Sequence, residues 1–152
     1  MITPKYYWAV FVYKCFDNSP KILLFEQNNN NKFTPVVLEN IKPREFEKAK
    51  GLFTKVTGIK KGNCFPSRFF ENSRSFSFQK GEKKLIVSTT SVRLLNEIDL
   101  ENFVFLKKGE WILKEEAFGK LKYDKLYFRA LKDEFGEDLF WECLDTVSRN
   151  FN

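Results

Sequence analysis

The sequence predicts a single α/β domain over residues 1–152, and three observations lead to this prediction. The chain has 152 residues, 43% of them hydrophobic, which is enough for one buried core. Runs rich in aromatic and β-branched residues, at 6–16, 21–27 and 84–92, are typical of β-strands. Between the second and third runs, residues 43–58 repeat apolar side chains at helical spacing.

The predicted helix of residues 43–58 has a start signal and a stop signal. Pro43 suits the first helical position, where a missing N–H has no intrahelical partner, and Gly58 suits the turn after the last residue. One face is apolar, with members three and four residues apart: Phe46, Ala49, Phe53 and Val56. The opposite side is charged: Glu47, Lys48, Lys50 and Lys55. We therefore expect this helix to pack one face on a core.

Strands and turns are expected before this helix. Residues 6–16 and 21–27 form two strands, joined by the turn-forming cluster at 17–20. A short strand at Phe33 is followed by a loop closed by Pro35, which leads into the helix.

After the helix, turn signals and alternating side chains predict further strands. Phe76 and Phe78 alternate with serines and so belong to one side of a strand. The expected turns lie at 60–63 and 79–82, and the expected strands at 64–70, 74–79, 84–92 and 103–106. Residues 93–102 are a loop or a short turn of helix, and amphipathic helices are expected at 126–135 and 137–147.

The composition excludes several kinds of enzyme. There is no histidine, which removes the commonest general base and transition-metal ligand. Cys15, Cys64 and Cys143 are far apart and odd in number, so they indicate neither a zinc site nor a disulfide framework. The sequence therefore predicts reduced, intracellular thiols, with no catalytic residue, metal or cofactor.

Charge and hydropathy indicate a soluble protein with no membrane partner. No signal peptide or membrane span is visible, because Lys14 interrupts the first apolar run. A net charge of +6 is compatible with an anionic partner, either a nucleotide or RNA. The middle region is basic: Lys60, Lys61, Arg68, Arg74, Lys80, Lys83 and Lys84. These positions form either a phosphate-facing surface or ordinary solvated positions.

Residues 33–59 resemble the Nudix box, the loop–helix–loop of the Nudix hydrolases. The family pattern is Gly, five residues, Glu, seven residues, then Arg-Glu-apolar-any-Glu-Glu-any-Gly-apolar. When this pattern is aligned without gaps on Gly58 and Ile59, its apolar position falls on Phe53. The Pro-Gly-Gly that precedes the box falls on residues 35–37, Pro-Val-Val.

The residues that carry the family's chemistry are replaced in this chain. The first Gly becomes Val37, the isolated Glu becomes Pro43 and the Arg becomes Gly51. In the family, three helix glutamates hold divalent metal against a pyrophosphate, and here they become Leu52, Lys55 and Val56. Two apolar groups and an ammonium cannot coordinate Mg²⁺, so the resemblance implies a degenerate box.

A second register, which begins its Arg-Glu pair at Arg44 and ends at Leu52, is less favourable. It places Pro43 inside the helix, and an interior proline costs roughly 3 kcal/mol or more. It also lacks the paired glutamates, because Lys48 and Ala49 occupy their places.

Residues 109–125 resemble the tail of the Nudix domain, in which a tryptophan-bearing strand precedes a short Glu-Glu-Ala helix and a last helix. The Leu-Lys-Tyr at 121–123 is similar to the diadenosine polyphosphate hydrolases of the family. Across residues 6–135 the resemblance implies a Nudix-like α/β/α sandwich around a mixed β-sheet, with an extra C-terminal helix. Nudix enzymes often use a carboxylate before the last strand, and this region holds Glu97, Asp99 and Glu101.

Five residues are candidates for binding a ligand. The Lys55 ammonium, at the place of a metal-binding carboxylate, could neutralise a diphosphate directly, or it could be an exposed helix lysine. Tyr123 could stack on a base, or it could pack at a helix start. The remaining candidates, from the short strand and the basic middle region, are Phe33, Arg68 and Arg74.

The expected function is that of a non-catalytic Nudix-like domain that binds a nucleotide, RNA or a protein partner. One alternative is a structural subunit of a larger ribonucleoprotein or protein assembly. The other is a divergent metal-dependent Nudix hydrolase of nucleoside diphosphate-linked compounds, which would use rearranged carboxylates: Glu45, Glu47, Glu97 or Glu101.

Overall fold

A computed structural model describes residues 3–14, 21–27, 32–65 and 73–121 of the chain. Within these residues, strands of one mixed sheet and two α-helices alternate along the chain. The strands are β1 (Lys5–Lys14), β2 (Lys21–Gln27), β3 (Lys32–Thr34), β4 (Val36–Glu39), β5 (Cys64–Phe65), β6 (Arg74–Lys80), β7 (Lys83–Leu94) and β8 (Gly109–Leu113). The helices are α1 (Phe46–Thr57) and α2 (Lys114–Leu121). The predicted α/β class is confirmed.

Strand β1 lies at the centre of the sheet. One of its edges pairs in parallel with β7 along most of its length. Its other edge is shared by two antiparallel partners, β4 beside residues 7–10 and β2 beside residues 13–14. Because β2 and β4 occupy different parts of this edge, the sheet divides between β2 and β4, at the point where β2 leaves β1.

The segment from β3 to β4 crosses this division. Strand β3 pairs with the end of β2, and β4 pairs with β1. Pro35 lies between them and has no N–H to donate, so the hydrogen-bonding ladder breaks at this position. Residues 32–39 therefore pass from one strand to another and leave space beside the crossing point.

The outer strands β5, β6 and β8 pair with β7 and β2. Strand β7 pairs with β6 through a hairpin whose turn contains Gly81, at φ +62°, and this confirms the predicted turn. Beyond β6, the same edge of β7 pairs with β5. Strand β8 pairs antiparallel with β2 and extends the sheet on that side.

Alternate residues of β1 build two cores, one on each face of the sheet. Trp8, Val10 and Val12 belong to the first core, together with Ala49 and Phe53 of α1. On the other face, a second core joins β1 to α2 and contains Ala9, Phe11, Ala117 and Leu121. Helices thus cover both faces of the sheet, as an α/β/α sandwich requires.

Helix α1 ends where the sequence predicts but begins three residues later. Gly58 closes it in the left-handed region, at φ +78°, and donates its N–H to the carbonyl of Thr54. Pro43 instead belongs to a turn before the helix, in which Oε1 of Glu45 accepts a hydrogen bond of 2.8 Å from the N–H of Lys42. The predicted start at Pro43 is wrong because the hydrogen bond of this turn uses backbone that would otherwise have joined a first helical turn at Pro43.

Two other element predictions are wrong. Residues 36–39 form strand β4, although they were expected to lie in the loop closed by Pro35. The expected strand at 103–106 is instead a turn that runs into a 3₁₀ helix at Leu106–Lys108. A short apolar run does not by itself distinguish a strand from a turn that docks on a core, and here Val104 is 84% exposed.

Several predicted elements lie outside the described residues. These are the helices at 126–135 and 137–147, including the extra C-terminal helix, and the part of the 64–70 strand after Phe65. Among the described helices, none combines the length and the apolar character needed to span a bilayer.

Candidate functional site

A cleft of about 510 Å³ lies at the division of the sheet. Its floor comes from three neighbouring strands, with Tyr7 and Ala9 on β1, Val37 on β4 and Val87 on β7. Its side is formed by the crossing segment at Thr34 and Pro35. The cleft therefore exists because β3 and β4 pair with different strands.

The strand alternation of β4 directs two residues into the cleft. Val36 and Leu38 are buried in the first core, so Val37 and Glu39 face the opposite side. Register places Glu39 beside Tyr7. The carboxylate of Glu39 thus lies at the β1 end of the cleft, next to an aromatic ring, and is exposed to solvent.

Two phenylalanines form an aromatic wall at the other end. The rings of Phe25 and Phe105 are tilted by 53°, with centroids 5.0 Å apart. Phe105 is 37% exposed although it is a large apolar residue. Gly109 pairs with Phe25, and a methyl group at Gly109 would come within 2.9 Å of that ring, so glycine allows the close approach. This wall is a partly exposed aromatic surface.

Charged groups flank the aromatic wall. Lys108 lines the cleft next to Gly109 and is exposed. Glu26 lines the same end and interacts with another group of the protein. Within the described parts of the chain, the side chains of Lys108 and Glu39 have no ion-pair partner. The cleft therefore has Lys108 and Glu26 at one end and Glu39 at the other.

The structure places three of the five candidate residues, and it does not bring them together. Phe33 is only 6% exposed and packs in the second core, with Nζ of Lys120 4.3 Å from its ring centroid. Lys55 is exposed on α1, and Arg74 is exposed at the start of β6. None of these three lines the cleft. Tyr123 and Arg68 lie outside the described residues.

The three α1 positions that the sequence predicts to align with the family's glutamates have different surroundings. Leu52 packs against the first core, and Val56 is half-buried. Lys55 is exposed in the last turn of the helix, where a cation interacts favourably with the helix dipole. None of these side chains carries an oxygen that could bind a hard divalent cation.

The carboxylates that a divergent hydrolase could use as metal ligands form other interactions or lie apart from one another. Glu97 forms an ion pair with Lys14, whose Nζ lies 4.6 Å from the ring centroid of Trp111. Asp99 accepts a hydrogen bond of 3.0 Å from the N–H of Glu101. Glu45 and Glu47 at the start of α1 pair with Lys48 and Lys50. In the parts of the chain that the structure describes, no three potential ligands from His, Cys, Asp and Glu cluster as a metal site would need.

Comparison with known proteins gives a match in structure. No protein-family model matches the sequence, and no curated protein matches it significantly. The crystal structure of the C. elegans Ap4A hydrolase has a TM-score of 0.63 at 15% identity, covering 86% of this chain and 95% of the hydrolase. A binary complex of a C. elegans Ap4A hydrolase has a TM-score of 0.61 at 15% identity, covering 85% of this chain and 96% of that one.

The chain has the Nudix fold. The predicted α/β/α sandwich around a mixed sheet is thereby confirmed. At 15% identity the likeness concerns the fold, so the chemistry of this Nudix-fold chain depends on its own side chains.

Sequence reasoning missed most of the residues that line the cleft. Glu39 could have been found by extending the alternation from Val37, had residues 36–39 been recognised as a strand. Phe105 lies in the run at 103–106 that is predicted as a strand, and Lys108 lies outside any predicted element, so neither had a usable signal. Tyr7 was one of several aromatic residues in β1, and only pairing with β4 distinguishes it.

Proposed function

We propose that this chain is a Nudix-fold domain that binds a nucleotide in the cleft and does not hydrolyse it with helix-bound metal. The observation that carries this proposal is the cleft itself, in which aromatic rings lie beside a lysine without an ion-pair partner in the described chain. The experiments below test binding and turnover separately.

The cleft has the size and chemistry that a nucleotide requires. Its volume of about 510 Å³ falls within the usual range for small-molecule sites. Phe105 offers a partly exposed ring on which a planar base can stack, and stacking on aromatic side chains is a common way to hold a base. Lys108 offers an ammonium for a phosphate.

The absence of helix-bound metal is proposed from the side chains that are present on α1. Leu52 and Val56 are hydrocarbons, and the ammonium of Lys55 repels a cation. A Mg²⁺ ion needs oxygen ligands close together, and these three groups supply none. Binding without metal-dependent turnover therefore fits this helix better than catalysis does.

A divergent metal-dependent hydrolase is the second candidate. It is supported by the likeness to the Ap4A hydrolase structures and by the carboxylate of Glu39, which lines the cleft and has no ion-pair partner in the described chain. In this case the metal would be bound on the sheet rather than on α1, and turnover would require Mg²⁺ or Mn²⁺.

Turnover and binding can be measured on the same samples. We would incubate the protein with Mg²⁺ or Mn²⁺ and a panel of nucleoside diphosphates, Ap4A and capped RNA, and measure product together with thermal shift. The proposal predicts a thermal shift with at least one ligand and no product. Product would favour the hydrolase, and neither signal would favour a structural subunit of an assembly.

Replacement of Phe105 tests the location of the site. Because base stacking is worth about 1–3 kcal/mol, we expect Phe105→Ala to weaken nucleotide binding by at least fivefold in calorimetric titration. Val104→Ala is the matched control, because Val104 is the neighbouring exposed apolar residue and does not line the cleft. Equal losses in the two variants, or unchanged affinity in Phe105→Ala, would contradict a site in this cleft.

Lys55→Glu distinguishes the cleft from the α1 surface. If Lys55 binds the diphosphate, as the sequence suggested, the reversed charge weakens binding. If the cleft holds the whole ligand, affinity stays within twofold of the original, because Lys55 does not line the cleft. The same titrations, repeated with Lys55→Glu, decide between these two locations.

A further inference from the structure

The sheet face that α1 covers extends beyond the first core, toward the start of β1. Alternate residues of β1 share this face, and Trp8 is the first of them in the first core of the described chain. Tyr6 lies one step before Trp8 on the same face and is half-buried. Register places Tyr6 beside Ile86 of β7, and Ile86 beside Ser77 of β6. These residues form a row across three neighbouring strands, about 10 Å wide.

The side chains around this row are polar and open to solvent. Because Ser77 pairs with Ile86, the alternation of β6 brings Ser75 and Gln79 to the same face, and all three β6 residues are exposed. Lys84 pairs with Gln79, shares the face and is exposed. The row and these neighbours form a surface that we call the sheet platform: Tyr6, Ser75, Ser77, Gln79, Lys84 and Ile86.

Two lysines supply positive charge beside the ring of Tyr6. Nζ of Lys42 lies 6.0 Å from the centroid of that ring. Lys84 lies two residues before Ile86, in the middle strand of the platform. Both lysines are exposed, and neither has an ion-pair partner within the described chain.

The carboxylates near these lysines do not cancel their charge. Glu45 accepts a hydrogen bond from the N–H of Lys42, and it pairs with the side chain of Lys48. Glu82 lies in the hairpin turn and is followed by Lys83 and Lys84. Each nearby glutamate therefore has a further lysine beside it, and Lys42 and Lys84 remain as an excess of positive charge.

A single strand of nucleic acid is held by aromatic rings that stack on its bases and by cations that bind its phosphates. The half-buried Tyr6 presents such a ring, with Lys42 and Lys84 near it. Serine hydroxyls and the amide of Gln79 add hydrogen-bond donors and acceptors. In a duplex the bases are already stacked on one another, so the ring would have no base to hold.

We propose that the sheet platform binds single-stranded nucleic acid, with a base stacked on Tyr6 and phosphates near Lys42 and Lys84. None of the platform residues lines the cleft, whose floor belongs to the opposite face of the sheet. This site is therefore separate from the proposed nucleotide site and does not depend on it.

Fluorescence anisotropy with labelled strands of about eight nucleotides tests the proposal, since sites of this kind hold roughly 4–16 nucleotides. We would titrate oligouridine, oligothymidine and a duplex of the same length with the unmodified protein. Contacts with two phosphates predict that log affinity falls by about 1.4 for each tenfold rise in salt. Binding of either single strand, more tightly than the duplex, supports the platform, and the tighter of the two distinguishes RNA from DNA. Binding of neither strand, or equal binding of the duplex, overturns it.

Lys84→Glu tests the contribution of the platform lysine. Loss of one phosphate contact should weaken binding and lower the salt slope by about 0.7. Lys55→Glu is the matched control, because Lys55 is an exposed lysine in the last turn of α1, away from the platform, and the change in charge is the same. Equal losses in the two variants would show attraction to net charge alone and would overturn the site.

Tyr6→Ala and Tyr6→Phe separate the ring from its hydroxyl. Because stacking on an aromatic ring is worth about 1–3 kcal/mol per base, Tyr6→Ala should bind a single strand at least fivefold more weakly. Tyr6→Phe keeps the ring and should bind as the unmodified protein does. Unchanged affinity in Tyr6→Ala would contradict stacking on Tyr6. If Tyr6→Ala does not fold, Lys84→Glu still decides the question, because Lys84 is exposed.

Discussion

Gly58 shows how a single residue joins α1 to a distant loop. Its φ of +78° lies in the left-handed region, which side chains other than glycine rarely adopt. A methyl group there would lie only 2.7 Å from Cδ1 of Phe103, which packs against the first core. Glycine is therefore required twice, once by the helix end and once by the packing of the 103–108 turn.

We expect Gly58→Ala to destabilise the protein. The backbone conformation alone costs about 1–3 kcal/mol for a residue with a side chain. The contact with Phe103 adds to this loss, because the ring must move from its place against the core. Urea unfolding followed by circular dichroism would measure the change in the free energy of unfolding.

Gly51→Ala is the matched control, and its predicted effect has the opposite sign. Gly51 is exposed within α1, and a methyl group there would meet no atom within 4 Å. Alanine is favoured over glycine in a helix interior by roughly 0.5–1 kcal/mol, so this variant should be more stable. Similar losses in both variants would show that the left-handed conformation of Gly58 is not the cause.

At the scale of elements, the end of α1 is held by a buried hydroxyl. Oγ1 of Thr57 donates a hydrogen bond of 2.7 Å to the carbonyl of Phe53 and accepts one of 3.1 Å from the N–H of Ile59. Thr57 is only 1% exposed. Its side chain therefore provides an acceptor for the buried N–H of Ile59, just after the end of the helix.

Replacement of Thr57 by valine removes both hydrogen bonds with little change in shape. The buried N–H of Ile59 would lose its partner, which costs about 1–3 kcal/mol. Differential scanning calorimetry should therefore show a lower melting temperature for Thr57→Val. Thr54→Val should change it much less, because Thr54 is exposed on the same helix, and equal losses would argue against the hydrogen bonds as the cause.

The two ends of α1 differ in how far local sequence could predict them. Gly58 marks the C-terminal end through its own conformational freedom, which is a local property. The N-terminal end depends on tertiary contacts, because Nε1 of the buried Trp8 donates a hydrogen bond of 3.2 Å to the carbonyl of Lys42. The ring of Phe46 also packs edge-on against Trp8. Proline at position 43 could not reveal these contacts.

At the scale of the whole molecule, β1 and β7 form the centre of the structure. Their parallel ladder runs from Lys5 and Leu85 to Tyr13 and Arg93. Residues on both faces of β1 are buried, which gives the two cores a common wall. This pair should therefore open only when the whole domain unfolds.

Hydrogen exchange measured by NMR should show this order of stability. Amides of residues 8–12 and 87–92 are expected to exchange slowest, through global unfolding. Amides of β6 should exchange earlier, because β6 pairs only with β7 among the described strands and carries exposed side chains such as Ser75 and Ser77. If amides of β6 were protected as strongly as those of β1 and β7, the prediction that β1 and β7 are more stable than β6 would be contradicted.

The sequence by itself determined the class of fold, the two opening strands, the β6–β7 hairpin and the end of α1. Each of these depends on local signals, namely strand composition, alternation and the backbone freedom of glycine. The order of these elements, with the resemblances at 33–59 and 109–125, was enough to predict the Nudix fold.

Only the tertiary structure decided where a ligand could bind. The cleft arises because residues 32–39 change pairing partners at Pro35, and strand pairing is a long-range choice that no local pattern encodes. The same choice brings Glu39 beside Tyr7, while the turn before β8 supplies Phe105 and Lys108. Phe33 shows the reverse case, since an aromatic residue with a plausible binding role is buried beneath α2. Local sequence determines which elements form, and their packing determines which side chains share a cleft.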